Sequence, residues 1–526
     1  MPIYQGNALN TTALVVPDLY VQILPPSIAS LNGVPTNVLG IVGTASWGPV
    51  NVPTVIGTPS QQAQTFGPVK NRSNDLGTAV AIAALQGAQN FRCVRVTDGT
   101  DTAATATLGT SGITITARYT GTLGNGITVT IAQSPLGASY WNVTIGLAAT
   151  GQAQTFPNIT GTGNAFWLAL AAAINNGIAN SLVGPSPIVA AVAGAGTASP
   201  TAGTTTLSGG TDGVATITTA VMIGSNTVPY KGMYALQNQG CSIGMLADLS
   251  DVTSFSTQVA FGLSNGIYMI GTMPASTGSP SSTEVAQQTA LIGAGASSYA
   301  FKCMFGDWVY WADQTNQVTR LVSPQAFEAG LLSNLAPNQS SCNKPLYGVI
   351  GTQQSGLPGS NQSQTYASAD LQVIFGSGSA PSFDVITNPI PGGANWGTRG
   401  GFNTSAQAGI NDDSYTRMTN YIASTLNAGM GVYVGQPITP SLFNNITATL
   451  TTFLGNLLQQ GLLAMITNSQ GQSVLPFTVT CGPSNNPQSQ TGIGIVQANV
   501  SVTYEGINKI FIINLQGGST VVQQVN

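Results

Sequence analysis

"CSIGMLADLSDVTSFSTQVAFGLSNGIYMIGTMP", residues 241 to 274, sets the class of fold. Its first nine residues are a short apolar run closed by a turn, the pattern of a covered strand. "DVTSFSTQVAFGLSNG" then spaces apolar residues as a helix does and ends on glycine. "IYMIGTMP" reads as strand again, "TEVAQQTALIGAGAS" as helix, and "YAFKCMFGDWVYWAD" as a further strand. Such β-α-β-α-β order predicts a layered sheet with crossover helices. "SPQAFEAGLLSN" adds a helix with Pro324 in its first turn.

Working outward, "NVLGIVGTASWGPVNVPTVI" predicts two short strands around a W-G-P turn. "DLGTAVAIAALQGAQN" predicts a helix started near Asn74 or Asp75 and ended by Gly87, and "FRCVRV" another strand. Composition shifts at about Asp98, and Thr, Gly and Ala dominate as far as Asp212. Alternating strands with Gly turns there, as in "ITITARYTGTLGNGITVTI", predict a β-rich insertion. In the last third, "FDVITN" and "VYVG" read as strands. Asp412 and Asp413 precede "SYTRMTNYIASTLNAG", where acids favour a helix start through capping and the dipole. Thr439 caps and Pro440 opens a final helix, along which Leu450, Phe453, Leu454, Leu457, Leu458 and Leu462 form a stripe.

The totals exclude several function classes. Only 5% of the 526 residues are charged, 12 basic and 16 acidic, against roughly a quarter in soluble domains. That leaves no footprint for nucleic acid or an acidic membrane, and little repulsion between copies. The first basic residue is Lys70, so no secretory n-region is expected, and no run of about twenty apolar residues occurs. Five scattered cysteines without a CxxC spacing fit buried free thiols better than a disulfide scaffold.

Catalytic chemistry is missing in the same way. "GCSIG", residues 240 to 244, matches the nucleophile-elbow pattern at Ser242, yet the chain contains no histidine to take its proton. No G-x-x-x-x-G-K-S/T loop occurs. Neither a catalytic, a metal nor a cofactor site is expected, and the chain reads as no enzyme.

The end of the chain asks for a partner. In "VSVTYEGINKIFIINL", residues 500 to 515, Ile510, Phe511, Ile512 and Ile513 make a predicted strand apolar on both faces. Such a strand must be covered on both sides, and its backbone groups must be paired.

The ordered set of these segments resembles the tail sheath proteins of contractile-tailed bacteriophages. "VVPDLYVQI" and "TNVLGIVGTASWGPVNVP" resemble the family's N-terminal part, and "ARYTGTLGNGITVTI" the start of the inserted domain in longer sheaths. "PIPGGANWGTRGGFN" lies where the family carries a W-G-x-R loop, matched by Trp396, Gly397 and Arg399. The helix-strand-helix order from Ser414 to Gly461 resembles its C-terminal block.

The resemblance implies a multidomain α/β (α+β) protein: a layered core, an inserted β-rich domain and extended terminal β-arms. The expected divisions are an N-terminal arm 1–25, a discontinuous middle domain 26–100 plus 214–386, an outer insertion 101–213, a C-terminal core domain 387–500 and a C-terminal arm 501–526. Copies would stack as six-fold rings around a tail tube protein, between baseplate and tail terminator, and contract to drive the tube through the host envelope during genome ejection. Arms would add strands to neighbouring copies: Leu14, Val15, Val16, Leu19, Tyr20, Val21 and Ile23 at one end, and Lys509, Ile510, Phe511, Ile512, Ile513, Asn514 and Leu515 at the other. Roughly four to six main-chain bonds at about 1 kcal/mol each give a few kcal/mol per joint. The particle would be a virion tail made in the host cytoplasm, without nucleic-acid contact or membrane insertion. Two other readings are the sheath of a phage-derived injection system or bacteriocin particle, and a surface-array or adhesin protein.

After Arg417 the only charges are Glu505 and Lys509. Assembly is therefore expected to rest on polar and apolar contacts and to change little between about 50 mM and about 500 mM salt. Sedimentation of polymer across that series checks it; a steep loss contradicts it.

Overall fold

The computed structural model describes residues 3–5, 21–23, 31–275, 280–358, 366–376, 381–513 and 515. They fall into two compact units, one of Pro35–Asn420 with Ile507–Asn526 and one of Met1–Val34 with Tyr421–Gly506.

The larger unit is built on six strands: β1 (Leu39–Gly43), β2 (Thr54–Ile56), β3 (Phe91–Arg95), β4 (Ile243–Leu246), β5 (Tyr268–Thr272) and β6 (Phe301–Met304). Their order is β6-β5-β4-β1-β3-β2, parallel except for β2. Five helices cover the sheet: α1 (Pro59–Phe66) and α2 (Leu76–Leu85) between β2 and β3, α3 (Phe255–Asn265) crossing from β4 to β5, α4 (Pro280–Gly293) crossing from β5 to β6, and α5 (Gln325–Asn334) after β6. Alternation divides the strand side chains between two cores. Leu39, Ile41, Phe91, Cys93, Ile243 and Ile270 pack with α2 and α5; Val42, Val94, Met269, Phe301 and Cys303 pack with α3 and α4. A sheet covered on both faces needs the near-continuous apolar strands that the sequence supplies. At the crossing of α2 and α5, a Cβ on Gly330 would stand 2.6 Å from Ala83 Cα, so only glycine lets the helices approach this closely.

Residues 101–213 hold two antiparallel sheets around a separate core. Four strands run in the order Gln152–Thr160, Tyr140–Leu147, Ile127–Gln133, Gly203–Thr206; three run Val189–Ala193, Ile113–Thr120, Ala103–Leu108. Threonines pair across strands where other proteins place ions: Thr130 with Thr204 at 2.9 Å and Thr144 with Thr155 at 2.8 Å. Trp47, from the turn after β1, belongs to this core. Buried Arg95 donates to the carbonyls of Gly48 at 2.8 Å and Thr120 at 2.7 Å. Arg72 pairs with Asp212 at 2.6 Å, and the entering and leaving segments meet where Asp98 N donates to Gly213 O at 2.8 Å.

The smaller unit contains the end of helix α6 (Asp413–Gly429), helix α7 (Pro440–Gln459) and a hairpin of Phe477–Thr480 with Asn499–Val502. Thr439 Oγ1 accepts from Leu442 N at 3.3 Å, with Pro440 behind it at the first helical position. Leu442, Ile446, Leu450, Phe453, Leu454 and Leu457 are buried along α7. Val34 N donates to Thr425 Oγ1 at 3.2 Å, which fixes the end of the 31–34 segment.

Two expectations change. "YAFKCMFGDWVYWAD" is two strands in different sheets, β6 and Val309–Asp313, because Gly306 and Asp307 interrupt the ladder. "VYVG" lies in and after a 3-10 turn, Met430–Tyr433, with Val432 and Val434 exposed and, among the described residues, no strand beside them to complete a ladder. "KIFIINL" forms no ladder with its own chain over 507–513. Of the N-terminal arm residues, Leu14, Val15, Val16, Leu19 and Tyr20 lie outside the described residues, as does Asn514. Val21 and Ile23 belong to Val21–Ile23, paired in parallel with Ile3–Gln5. Among the described residues no helix is long and apolar enough to cross a membrane.

Candidate functional site

Lys302 occupies the middle of β6, where its neighbours Phe301 and Cys303 are fully buried. A strand position there gives its stem no route to water, so the ammonium needs anions inside the protein. Three segments provide them. Glu328 on α5 stands 2.7 Å from Lys302 Nζ, Asp384 at 2.7 Å, and Asp413 at the start of α6 at 3.0 Å; all four side chains have 0% exposure.

Each carboxylate is held by further donors. Asp384 accepts from the backbone N–H groups of Val385, Gly400 and Gly401 at 2.7 to 2.9 Å. Asp413 accepts from Tyr268 Oη at 2.6 Å and Ser341 Oγ at 2.7 Å. Glu328 accepts from Thr398 Oγ1 at 2.7 Å. Three carboxylates with oxygens within 4.8 Å of one another have the spacing of a cation site, and the lysine ammonium is the cation that fills it.

Charge balance follows from the environment. Burial works to raise Asp413, but the Lys302 charge and the bonds from Tyr268 and Ser341 outweigh it and hold the acid below its ordinary value. Glu328 is pushed up by burial, with Asp384 and Asp413 adding to it against Lys302. Burial opposes the charge on Lys302, and its three acids reverse that and raise it well above its ordinary value. Arg417, lowered by burial to about 10, donates to the carbonyls of Leu335 and Ala336 beside the cluster.

The loop of Trp396, Gly397 and Arg399 wraps this cluster. Trp396 packs against the sheet core. A Cβ on Gly397 would lie 2.5 Å from Lys344 O, so the chain passes there only as glycine. Arg399 N donates to Val385 O at 3.0 Å, and the guanidinium is half-buried. The acid pair divides its work. Asp412 caps α6, accepting from Ser414 N at 2.8 Å, whereas Asp413 turns inward to Lys302 and does not act as a second cap. Ser242, in its nucleophile-like pattern, donates to the carbonyls of Thr36 at 2.8 Å and Val38 at 3.1 Å, a structural role between strands.

The C-terminal segment is the second feature of the site. Lys509 Nζ lies 2.7 Å from Asp412 Oδ2, 3.2 Å from Gly401 O and 3.5 Å from the centre of the Phe402 ring. Beyond it Ile510, Phe511, Ile512 and Ile513 are 73 to 80% exposed and Leu515 is 90% exposed.

Geometry of this kind places the chain among known folds. The sheath tail protein from Desulfitobacterium hafniense superposes with a TM-score of 0.57 at 14% identity, over 88% of this chain and 93% of that one. The chain has the fold of the contractile-tail sheath proteins. The sheath tail protein from Listeria innocua gives 0.58 at 15% identity, over 90% of this chain and 96% of that one. The PVC sheath complex of an extracellular contractile injection system, in its contracted state, gives 0.55 at 11% identity, over 97% and 99%. No family model and no curated sequence matches. Likeness at this identity resides in the backbone course, and this sheath fold carries its own set of side chains.

Replacing Lys302 by Met leaves three buried carboxylates without their cation, and a loss of about 3–5 kcal/mol in urea unfolding is expected. A second titrating site lies on α4. Glu284 is buried with neither oxygen hydrogen-bonded among the described residues, and burial, then Asp370, pushes it from 4.5 to about 7. The folded state thus keeps its proton where the unfolded state has lost it. Stability is full below the unfolded value, falls as pH rises through the interval, and stays low above the folded value. Glu284→Gln is expected to melt higher than wild type at about pH 8 and to flatten the profile down to about pH 5.

Proposed function

We propose that this chain is the sheath subunit of a contractile bacteriophage tail. It polymerises as stacked six-fold rings around a tail tube, between baseplate and terminator, and contraction drives the tube through the host envelope during genome ejection. The observation that carries this reading is the uncovered apolar run from Ile510 to Ile513, four consecutive side chains at 73 to 80% exposure in a chain with the sheath fold. Single exposed apolar residues are ordinary; a contiguous run near the chain's end marks an interaction site. In this reading a second copy completes the strand, and Leu14, Val15, Val16, Leu19, Tyr20, Val21 and Ile23 form the matching N-terminal connector.

Contraction needs two packings of the same subunits, with the extended one metastable, and the energy comes from contacts between copies. No nucleotide is required, in keeping with the absent phosphate loop. In this reading the insertion at 101–213 is the outer domain, and its two connections leave the core side by side at Asp98 and Gly213. The tail is a virion component made in the host cytoplasm.

A second reading has its own support: the PVC sheath, from an extracellular contractile injection system, matches 97% of this chain. Particles purified with their native sheath separate the two. DNA-filled capsids on the tails support the phage reading, and capsid-free tubes that deliver protein support the other.

Electron microscopy of the purified full-length chain is expected to show hollow ridged tubes or stacked six-fold rings. A chain ended at Gly506 is expected to remain folded and monomeric. Tubes formed by the shortened chain would overturn the role given to the C-terminal segment.

A further inference from the structure

The exposed run begins at a fixed point. Among residues 507–513, Lys509 alone carries a charge, and three independent contacts hold it: the Asp412 carboxylate at 2.7 Å, the Gly401 carbonyl at 3.2 Å and the face of Phe402 at 3.5 Å. The lysine is 19% and Asp412 18% exposed, so the pair is shielded from salt more than a surface ion pair is. One residue later exposure rises to 80%, and it stays above 70% through Ile513.

Those contacts do not end at the surface. Gly401, whose carbonyl accepts from Lys509, gives its N–H to Asp384 at 2.7 Å, and Asp384 is bound to Lys302 on β6. Asp412, the ion-pair partner, immediately precedes Asp413, another anion of the same cluster. A single residue, Gly401, on one side and the step from Asp412 to Asp413 on the other thus join the root of the C-terminal segment to the central sheet.

We propose that Lys509 is a positioning residue that moors the C-terminal segment to the Lys302 cluster, so that the apolar run leaves the core at one place and in one direction before a second copy receives it. The inference rests on the reading given under Proposed function, and it adds that the donor end is organised in advance. A strand held at its root loses less freedom on docking than a free tail, so mooring strengthens each joint without any contact to the partner. It also puts tension on the segment onto a buried ionic cluster at the edge strand of the central sheet, which opens only with the fold itself. Phe402 and Gly401 belong to the same stretch as the W-G-x-R loop, so that loop shapes the socket in which Lys509 sits.

The test uses the full-length chain with Lys509→Met, which keeps the stem and removes the charge, and Lys509→Arg, which retains both ion pair and ring contact. For Lys509→Met the monomer is expected to melt as wild type does. Amide exchange in 507–513 is expected to quicken, and the concentration needed for polymerisation to rise about tenfold. Lys509→Arg is expected to stay within about twofold of wild type. Three results would overturn the mooring: Lys509→Met polymerising at the wild-type concentration, unchanged exchange in 507–513, or a monomer whose melting falls along with assembly, which would make Lys509 a stability residue. The chain ended at Gly506 separates this failure from that of the broader reading. If it cannot polymerise while Lys509→Met can, the segment still joins copies and only the mooring is wrong. If it polymerises as well as wild type, the role of the segment itself falls.

Discussion

One buried lysine holds together parts of the chain that are far apart in sequence. Lys302 on the edge strand of the central sheet, Glu328 on α5, Asp384 before the W-G-x-R loop and Asp413 at the head of α6 meet within hydrogen-bond distance. The arrangement is costly to assemble, because every ion must leave water, and it persists only since each carboxylate has further donors around it. Removing any member leaves the others uncompensated, so the cluster specifies where four segments must sit relative to one another.

This use of charge explains a composition that looks odd in the abstract. Among the described residues, twelve of the few charged side chains are buried, including Asp75, Arg95, Asp212, Asp307 and Arg320. They anchor helix starts, clamp the base of the insertion and tie the edge strand of the sheet to the segments around it. The surface is left to threonine, asparagine, glutamine and backbone amides, and the cross-strand Thr pairs show how sheets are held without ions. Such a surface has little electrostatic repulsion between copies.

The sheet was legible because periodicity is a local signal: strands covered on both faces and helices ended by glycine declare themselves within about fifteen residues. Thr439 and Pro440 announced α7 in the same way. The cluster was not legible, because its members are spread from Lys302 to Asp413 and nothing local marks them as neighbours. One signal was available. A lysine between Phe301 and Cys303 in an apolar strand has no way to water and demands buried acids, as do Glu328 inside "QAFEAG" and Asp384 inside "FDVITN" for a buried cation. The acid pair at 412–413 misled for a related reason: capping explains one acid, and the second answered to a cation 111 residues away. "VYVG" had the residues of a strand but no neighbour to pair with, which sequence periodicity does not register.

The insertion is attached by two chain segments that run together at Asp98 and Gly213, and its hydrophobic centre is its own apart from Trp47. A module fastened at both ends through one narrow doorway imposes almost no closure entropy on its host. Such a module can be shortened or exchanged at little cost to the sheet it is fastened to.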